Sequence, residues 1–249
     1  MSTILKLSIF YYGLHTPAIN FLILKTRPQY VIINTPQGLW SQVSGQNIFQ
    51  DMAAYHTAGI KIIGYITAGY EGLGSKGDIG PEWYTLEKKE QLIRNMAQID
   101  GVDGVFIDEC SAFPNDSSKA YLKALTGLAH SYGLITWGNV GQADFDPWFF
   151  TQGGFDLMHS NEDWVGQSLT EVQRNWGYRI SVTGSNASYT AQAAFNLTVK
   201  AWQMGLAYCY VSNTGYDSVP SWLEEYSKLL RDNTNIFRRI TNKFNKKKL

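Results

Sequence analysis

The sequence lacks two features of proteins that bind nucleic acids or cross membranes: a net charge and a long hydrophobic run. Its 21 lysine and arginine residues balance 21 aspartate and glutamate residues, so no overall field attracts a polyanion. No stretch approaches the ~20 uninterrupted apolar residues of a membrane span. We therefore predict no nucleic-acid partner and no membrane span. The clustered lysines of residues 241–249 are predicted to form a basic, solvated tail after a domain over residues 1–240.

Cysteine and histidine are scarce, which argues against two further kinds of site. The two cysteines, Cys110 and Cys209, are too few for a disulfide framework. The four histidines are scattered and form no H-x-H or H-E-x-x-H motif, so we predict no metal centre. The sequence also lacks a G-x-G-x-x-G fingerprint after its first strand, a G-x-S-x-G elbow, and a lysine at the end of a predicted strand. We expect no cofactor.

The amino-terminal stretch does not have the pattern of a signal peptide. Residues 1–13, MSTILKLSIFYYG, contain a lysine inside a strand-like run and no long apolar core followed by a small-residue cleavage site. Its β-branched and aromatic residues predict the first strand of the fold.

The chain does contain a regular alternation of short apolar strands with helical stretches. Eight such pairs, at about 30 residues each, are typical of a (β/α)₈ barrel, and the length matches the ~250 residues of a TIM barrel. An open doubly wound sheet is the alternative, but the glycine fingerprint after its first strand is missing. We predict an α/β fold, a single-domain (β/α)₈ TIM barrel, with strands at residues 6–13, 30–36, 61–69, 105–107, 134–140, 155–162, 178–184 and 206–212.

Acidic residues follow only two of these predicted strands. Asp108 and Glu109 end the fourth strand, and Glu162 ends the sixth, with Asp163 and Trp164 beside it. Because the carboxyl ends of barrel strands meet at one face, these acids are expected to converge. Two carboxylates at one site are the minimum set for glycoside hydrolysis, in which one protonates the leaving oxygen and the other attacks or activates water.

Amides and aromatic residues are predicted at the same face, where they could bind a sugar. Aromatic rings stack on apolar sugar faces and hydrogen-bond through their polar edges. Each ring taken alone is better explained by core or rim packing, so the hypothesis depends on their joint placement. The predicted substrate-binding residues are Tyr11, Asn34, Tyr65, Asn139, Trp137, Trp164, Tyr210 and Asn213.

Strand geometry limits how the adjacent acids can act. Successive strand residues point to opposite faces, so Asp108 and Glu109 cannot both face the barrel axis unless the strand breaks between them. We expect one to be catalytic and the other to tune its pKa, since a nearby like charge raises a carboxyl pKa.

Four segments carry a resemblance to a known family: GYITAGY at 64–70, GVFIDE at 104–109, FDLMHSNEDW at 155–164 and YCYVSNTGYDSVPSWLEEY at 208–226. They resemble the spherulation-specific family 4 of spherulin-4-like proteins, barrel glycoside hydrolases similar to the endo-α-1,4-polygalactosaminidases. The resemblance implies Asp108 as nucleophile, Glu162 as acid/base and Glu109 in support. It further implies a galactosamine-containing polysaccharide as substrate and an extracellular or cell-surface location.

Two other functions remain open from the sequence. A barrel that binds carbohydrate without cleaving it would keep the same groove. A phosphosugar enzyme would instead use the polar loops 185–188 and 213–215, which follow the seventh and eighth strands where barrels often bind phosphate.

Overall fold

The computed structural model describes residues 5–13, 16–38, 48–72, 81–216 and 218–233. Within them, eight parallel strands form one sheet in chain order. Strand β8 also lies against β1, so the sheet curls into a nearly closed barrel. This confirms the predicted (β/α)₈ barrel; the proposed tail at 241–249 lies outside the described residues. The strands are β1 Leu5–Tyr11, β2 Pro28–Ile33, β3 Lys61–Thr67, β4 Gly104–Asp108, β5 Ile135–Asn139, β6 Leu157–Asn161, β7 Ile180–Ser185 and β8 Tyr208–Ser212.

Helices connect the strands and cover the outside of the barrel. Several begin at a threonine or asparagine whose side chain accepts a hydrogen bond from the first turn, as Thr85 and Asn115 do, which satisfies a backbone donor that the helix leaves open. The helices are α1 Pro17–Thr26, α2 Ile48–Thr57, α3 Gly69–Gly72, α4 Leu86–Asn95, α5 Asp116–Ser131, α6 Trp148–Thr151, α7 Glu171–Trp176, α8 Ala191–Gln203 and α9 Leu223–Asp232.

Aromatic side chains fill the inside of the barrel. The ring of Phe10 lies 5.4 Å from Phe106, 6.0 Å from Trp137, 4.9 Å from His159 and 6.0 Å from Tyr210, measured between centroids. The buried His159 ring contacts a serine hydroxyl at 2.9 Å, and burial lowers its pKa to about 3, so it is a neutral core residue. Among the described residues, this packing fills the barrel interior, as is usual for the fold, whose ligand sites lie at the carboxyl ends of the strands.

Candidate active site

Three neighbouring strands bring two carboxylates onto one amide. Asp108 ends β4, Asn139 ends β5, and Glu162 follows β6 directly. The Asn139 Nδ2 atom donates to Asp108 Oδ1 at 2.7 Å and to Glu162 Oε1 at 2.8 Å. Because one nitrogen lies 2.7 Å from the first oxygen and 2.8 Å from the second, these oxygens are no more than 5.5 Å apart. Acids 54 positions apart in the sequence therefore share one site.

Asp108 accepts more hydrogen bonds than Glu162 does. Its carboxylate accepts hydrogen bonds from the Tyr65 hydroxyl, the Glu109 backbone N–H and the Asn139 amide, each at 2.7 Å. Burial raises the pKa of Asp108, and these three donors oppose that rise. Three donors to one buried carboxylate are the arrangement expected for a group that works ionised.

Glu162 has fewer stabilising partners. Burial raises its pKa, the Asn139 amide opposes the rise, and repulsion from Asp108 and Asp163 adds to it. Of two coupled acids, the one with fewer donors and more negative neighbours holds a proton more readily. Asp108 thus has more hydrogen-bond donors to its anion, and Glu162 has more negative neighbours that oppose its ionisation.

Glu109 lies directly after the end of β4, where the backbone changes direction. Its φ of 56° is left-handed, a conformation that residues other than glycine rarely adopt. The condition under which both acids can face the axis, a break in the strand between them, is therefore met, and the Glu109 carboxylate accepts a hydrogen bond from Thr67 Oγ1. Burial raises the pKa of Glu109, the Thr67 bond opposes the rise, Asp108 adds to it and Lys89 opposes it.

The left-handed backbone at Glu109 predicts that the native residue lowers the stability of the fold. Glu109→Gly relieves the strain, whereas Glu109→Ala keeps it, and both remove the carboxylate. We expect the glycine variant to have a free energy of unfolding about 1 kcal/mol higher than the alanine variant, measured by urea denaturation. Equal stabilities would show that this backbone is not strained.

Three half-buried tyrosines stand beside the acids. The ring centroids of Tyr12 and Tyr65 are 4.9 Å apart, and those of Tyr12 and Tyr216 are 5.6 Å apart. The Tyr216 hydroxyl lies 2.8 Å from Thr183 Oγ1, which donates to the Glu162 carbonyl at 3.0 Å. Burial raises the pKa values of Tyr12 and Tyr216, and repulsion from Asp108 and Glu162 raises them further. The tyrosines thus stay protonated and form an aromatic wall next to the carboxylates.

Three of the predicted polar residues contact Asp108 or the tyrosines. Tyr65 and Asn139 contact Asp108 directly. The buried Asn34 donates to the Tyr12 carbonyl at 3.1 Å and so supports the wall from below. Asn213, half-buried after β8, has an Oδ1 atom without a hydrogen-bond partner among the described residues.

Four predicted aromatic contacts are corrected by the structure. Trp137 and Tyr210 lie in the filled barrel interior, and Trp164 is fully buried, so none presents a ring face to a ligand. Tyr11 is fully buried and interacts with Tyr55 of helix α2, on the outside of the sheet. Strand alternation instead turns Tyr12 toward the acids.

In the loops that a phosphosugar enzyme would use, backbone N–H groups already donate hydrogen bonds within and between the loops. The backbone N–H of Ser188 donates to Asn186 Oδ1 at 2.9 Å, and that of Thr214 donates to Ser212 Oγ at 3.1 Å. The Asn186 N–H donates to the Ser212 carbonyl at 3.1 Å. Phosphate sites in barrels need such N–H groups to point at the ligand, so these loops argue against a phosphosugar.

The part of the chain that the structure describes contains no group of three or more histidine, cysteine, aspartate or glutamate side chains placed to hold a metal ion. None of its helices is long and apolar enough to cross a membrane.

Comparisons with known proteins add information about the fold. No protein-family model matches the chain, and a search of curated proteins finds no match. The structure is similar to that of Sph3 from Aspergillus clavatus, solved in complex with GalNAc, with a TM-score of 0.65 and 15% identity over 90% of this chain and 96% of that one. It is also similar to a chitinase from Bacteroides thetaiotaomicron, with a TM-score of 0.60 and 11% identity over 91% of this chain and 95% of that one.

A third similar structure is a chitinase-like agglutinin from Robinia pseudoacacia, with a TM-score of 0.59 and 10% identity over 90% of this chain and 99% of that one. Identities this low show a shared fold. The protein is a (β/α)₈ barrel with a carboxylate site at the carboxyl ends of its strands.

Proposed function

We propose that this protein is a glycoside hydrolase that cleaves a galactosamine-containing polysaccharide with Asp108 and Glu162. The observation that supports the proposal most directly is the Asn139 amide that bridges the two carboxylates. The shared fold is consistent with it, since one similar structure was solved with GalNAc and another is a chitinase. The spherulin-4-like resemblance remains a prediction that points to the same chemistry.

The proposed reaction assigns each acid a separate role. Protonated Glu162 delivers its proton to the glycosidic oxygen, while ionised Asp108 attacks the anomeric carbon and forms a covalent glycosyl ester. Glu162, now a base, then removes a proton from water as the water attacks the anomeric carbon and breaks its bond to the Asp108 oxygen, which releases the Asp108 carboxylate. The Tyr65 and Asn139 donors hold the Asp108 oxygens in place, and Glu109 supports them through its backbone N–H, which donates to the same carboxylate at 2.7 Å.

The short separation of the carboxylates predicts retention of the anomeric configuration. Retaining enzymes hold their acids at about 5–5.5 Å, whereas inverting enzymes need ~6.5–9.5 Å to admit a water. The upper limit of 5.5 Å between the Asp108 and Glu162 oxygens on Asn139 fits the first class. We expect proton NMR of the earliest product to show the anomer of the substrate; the opposite anomer would contradict a nucleophilic Asp108.

The charge of the site favours an amino sugar as substrate. Asp108, Glu109 and Glu162 lie together, and Asp163 interacts with Glu162. A concentration of carboxylates attracts a protonated amine and repels an acidic sugar. The test is release of reducing ends from three polymers: α-1,4-linked galactosamine, its fully N-acetylated form and a neutral polygalactose. We expect faster release from the first, whose amines are protonated, than from the two neutral polymers, and equal rates on all three would contradict the substrate class.

A carbohydrate-binding barrel without activity is the second candidate, and its supporting observation is the agglutinin of the same fold. A binder would be retarded in a gel that contains the galactosamine polymer, yet release no reducing ends from it. An enzyme would show both retardation and release. These two measurements on the unaltered protein therefore separate the candidates.

A further inference from the structure

Two successive residues after β3 adopt a left-handed backbone: Gly69 has φ 57° and Tyr70 has φ 48°. Glycine is required at the first, because a Cβ atom on Gly69 would lie 2.1 Å from the ring of Tyr84. At the second, the chain places a large aromatic residue where the backbone favours glycine or asparagine. Local strain of this kind is concentrated at functional sites in proteins.

The strained tyrosine is tied to the backbone of the catalytic acids. The Tyr70 N–H donates to the Glu109 carbonyl at 2.8 Å, and the Ala68 N–H donates to the Asp108 carbonyl at 2.7 Å. Thr67, in the same segment, donates to the Glu109 side chain. Tyr70 is therefore fixed at the rim of the site, next to the residues proposed to cleave the sugar chain.

The Tyr70 side chain is also far more accessible than the aromatic residues in the barrel. It is 44% exposed, whereas Trp137 is 0% exposed. The inner wall of Tyr12 and Tyr65 is only partly accessible. An accessible ring at the edge of a carboxylate site can meet a part of a long substrate that extends beyond the reacting sugar.

We propose that Tyr70 is the aromatic platform of an outer subsite, stacked against a sugar residue of the polymer that neighbours the cleaved linkage. This inference rests on the proposed function and specifies how the same site holds an extended chain. The ring covers the apolar face of a pyranose, and its hydroxyl reaches the polar edge. The hydrogen bond to Glu109 holds the Tyr70 backbone before binding, so only the side chain has to be ordered when the polymer arrives.

The inference predicts that the contribution of Tyr70 grows with substrate length. A monosaccharide fills only the position between Asp108 and Glu162, while a longer oligomer also reaches Tyr70. Loss of an aromatic stacking contact should weaken binding about 3- to 10-fold. The effect should appear for galactosamine oligomers and the polymer, and be absent for galactosamine itself.

The experiment compares four variants in the full chain. Tyr70→Ala removes the ring and keeps the strain, Tyr70→Gly removes both, and Tyr70→Phe keeps the ring. Tyr178→Ala is the matched control, because Tyr178 is 53% exposed but precedes β7 at the opposite rim. Affinity electrophoresis in gels with the galactosamine polymer, and calorimetry with defined oligomers, give the dissociation constants.

We expect both small variants at position 70 to bind the polymer 3- to 10-fold more weakly than the parent, with the phenylalanine variant and the control within twofold. The glycine variant should melt at a higher temperature than the alanine variant, which separates relief of strain from loss of stacking. If the parent binds the polymer without cleaving it and Tyr70→Ala weakens binding, the subsite stands and the hydrolase proposal fails. If the parent cleaves the polymer and all four variants match it, or if the parent binds no amino-sugar oligomer, the subsite is overturned.

Discussion

Asp108→Asn should abolish cleavage of the galactosamine polymer, with a loss of about 10⁴-fold or more in kcat. The substitution keeps the shape of the side chain and its place beside Tyr65 and Asn139, but an amide cannot form the glycosyl ester. Glu162→Gln should lose about 10²–10⁴-fold, because the leaving oxygen then departs without a proton. Initial rates of reducing-end release, with folding checked by circular dichroism, measure both losses.

The leaving group separates the roles of these acids. An aryl galactosaminide with an acidic phenol departs without protonation, so Glu162→Gln should form its glycosyl-enzyme at close to the parent rate. Asp108→Asn should remain inactive on the same substrate, because attack on the anomeric carbon is still missing. A burst of phenol in the glutamine variant and none in the asparagine variant would support the assignment. The reverse pattern would exchange the roles.

Glu171→Gln provides the control for loss of a carboxylate. Glu171 is exposed in the first turn of α7 and is neither of the two acids that Asn139 bridges. Its neutralisation should change kcat less than twofold, so a large effect of Glu162→Gln can be attributed to position. Correctly folded Asp108→Asn protein that cleaves the polymer at the parent rate would end the proposal.

The barrel could be predicted from the sequence because its apolar strands and amphipathic helices alternate at a regular interval. Each strand is a short apolar run and each helix an amphipathic one, so the repeat of about 30 residues appears without any tertiary contact. The convergence of Asp108 with Glu162 follows from the same repeat, since both follow strands of a parallel sheet. Hydrogen-bond partners do not follow from it: that one Asn139 amide would serve both acids depends on the register of β4, β5 and β6.

The facing and depth of the aromatic residues could not be predicted from the repeat alone. Tyr11 and Tyr12 are adjacent, and only one of them can point toward the acids. To choose Tyr12, one must know which residues of the strand face the barrel interior. Phe10 faces the barrel interior, so Leu7 and Ile9 lie on the opposite, outward face, which the helices cover. Tyr11 is two positions after Ile9, and this pattern could have assigned it to the same outward face. Trp137 lies too deep in its strand to reach the rim. The left-handed φ of Glu109 has no sequence signal, because glycine or asparagine would normally mark it.

Asn139→Asp should alter both the rate and its pH dependence. The change is nearly isosteric, but it removes the donor to Asp108 and Glu162 and adds a third negative charge between them. Both effects raise the pKa values of these two acids. Because Asp108 acts as an anion, a higher pH is then needed to ionise the same fraction of it. The acidic limb of the kcat/KM profile therefore shifts to higher pH. Loss of a donor at such a site lowers kcat about 10²–10³-fold.

The same substitution has a signature that does not depend on activity. Burial already raises the pKa values of Asp108 and Glu162 above those of ordinary carboxyls, so the folded state holds their protons more tightly than the unfolded chain does. Stability from these groups is therefore greatest at low pH and falls as pH rises through the raised pKa values. Asn139→Asp should steepen that fall in Tm, whereas Asn186→Asp, the same change on an exposed loop after β7, should not. If the two variants show the same pH dependence of Tm, Asn139 does not couple the acids, and the proposed sharing of roles between Asp108 and Glu162 loses its physical basis.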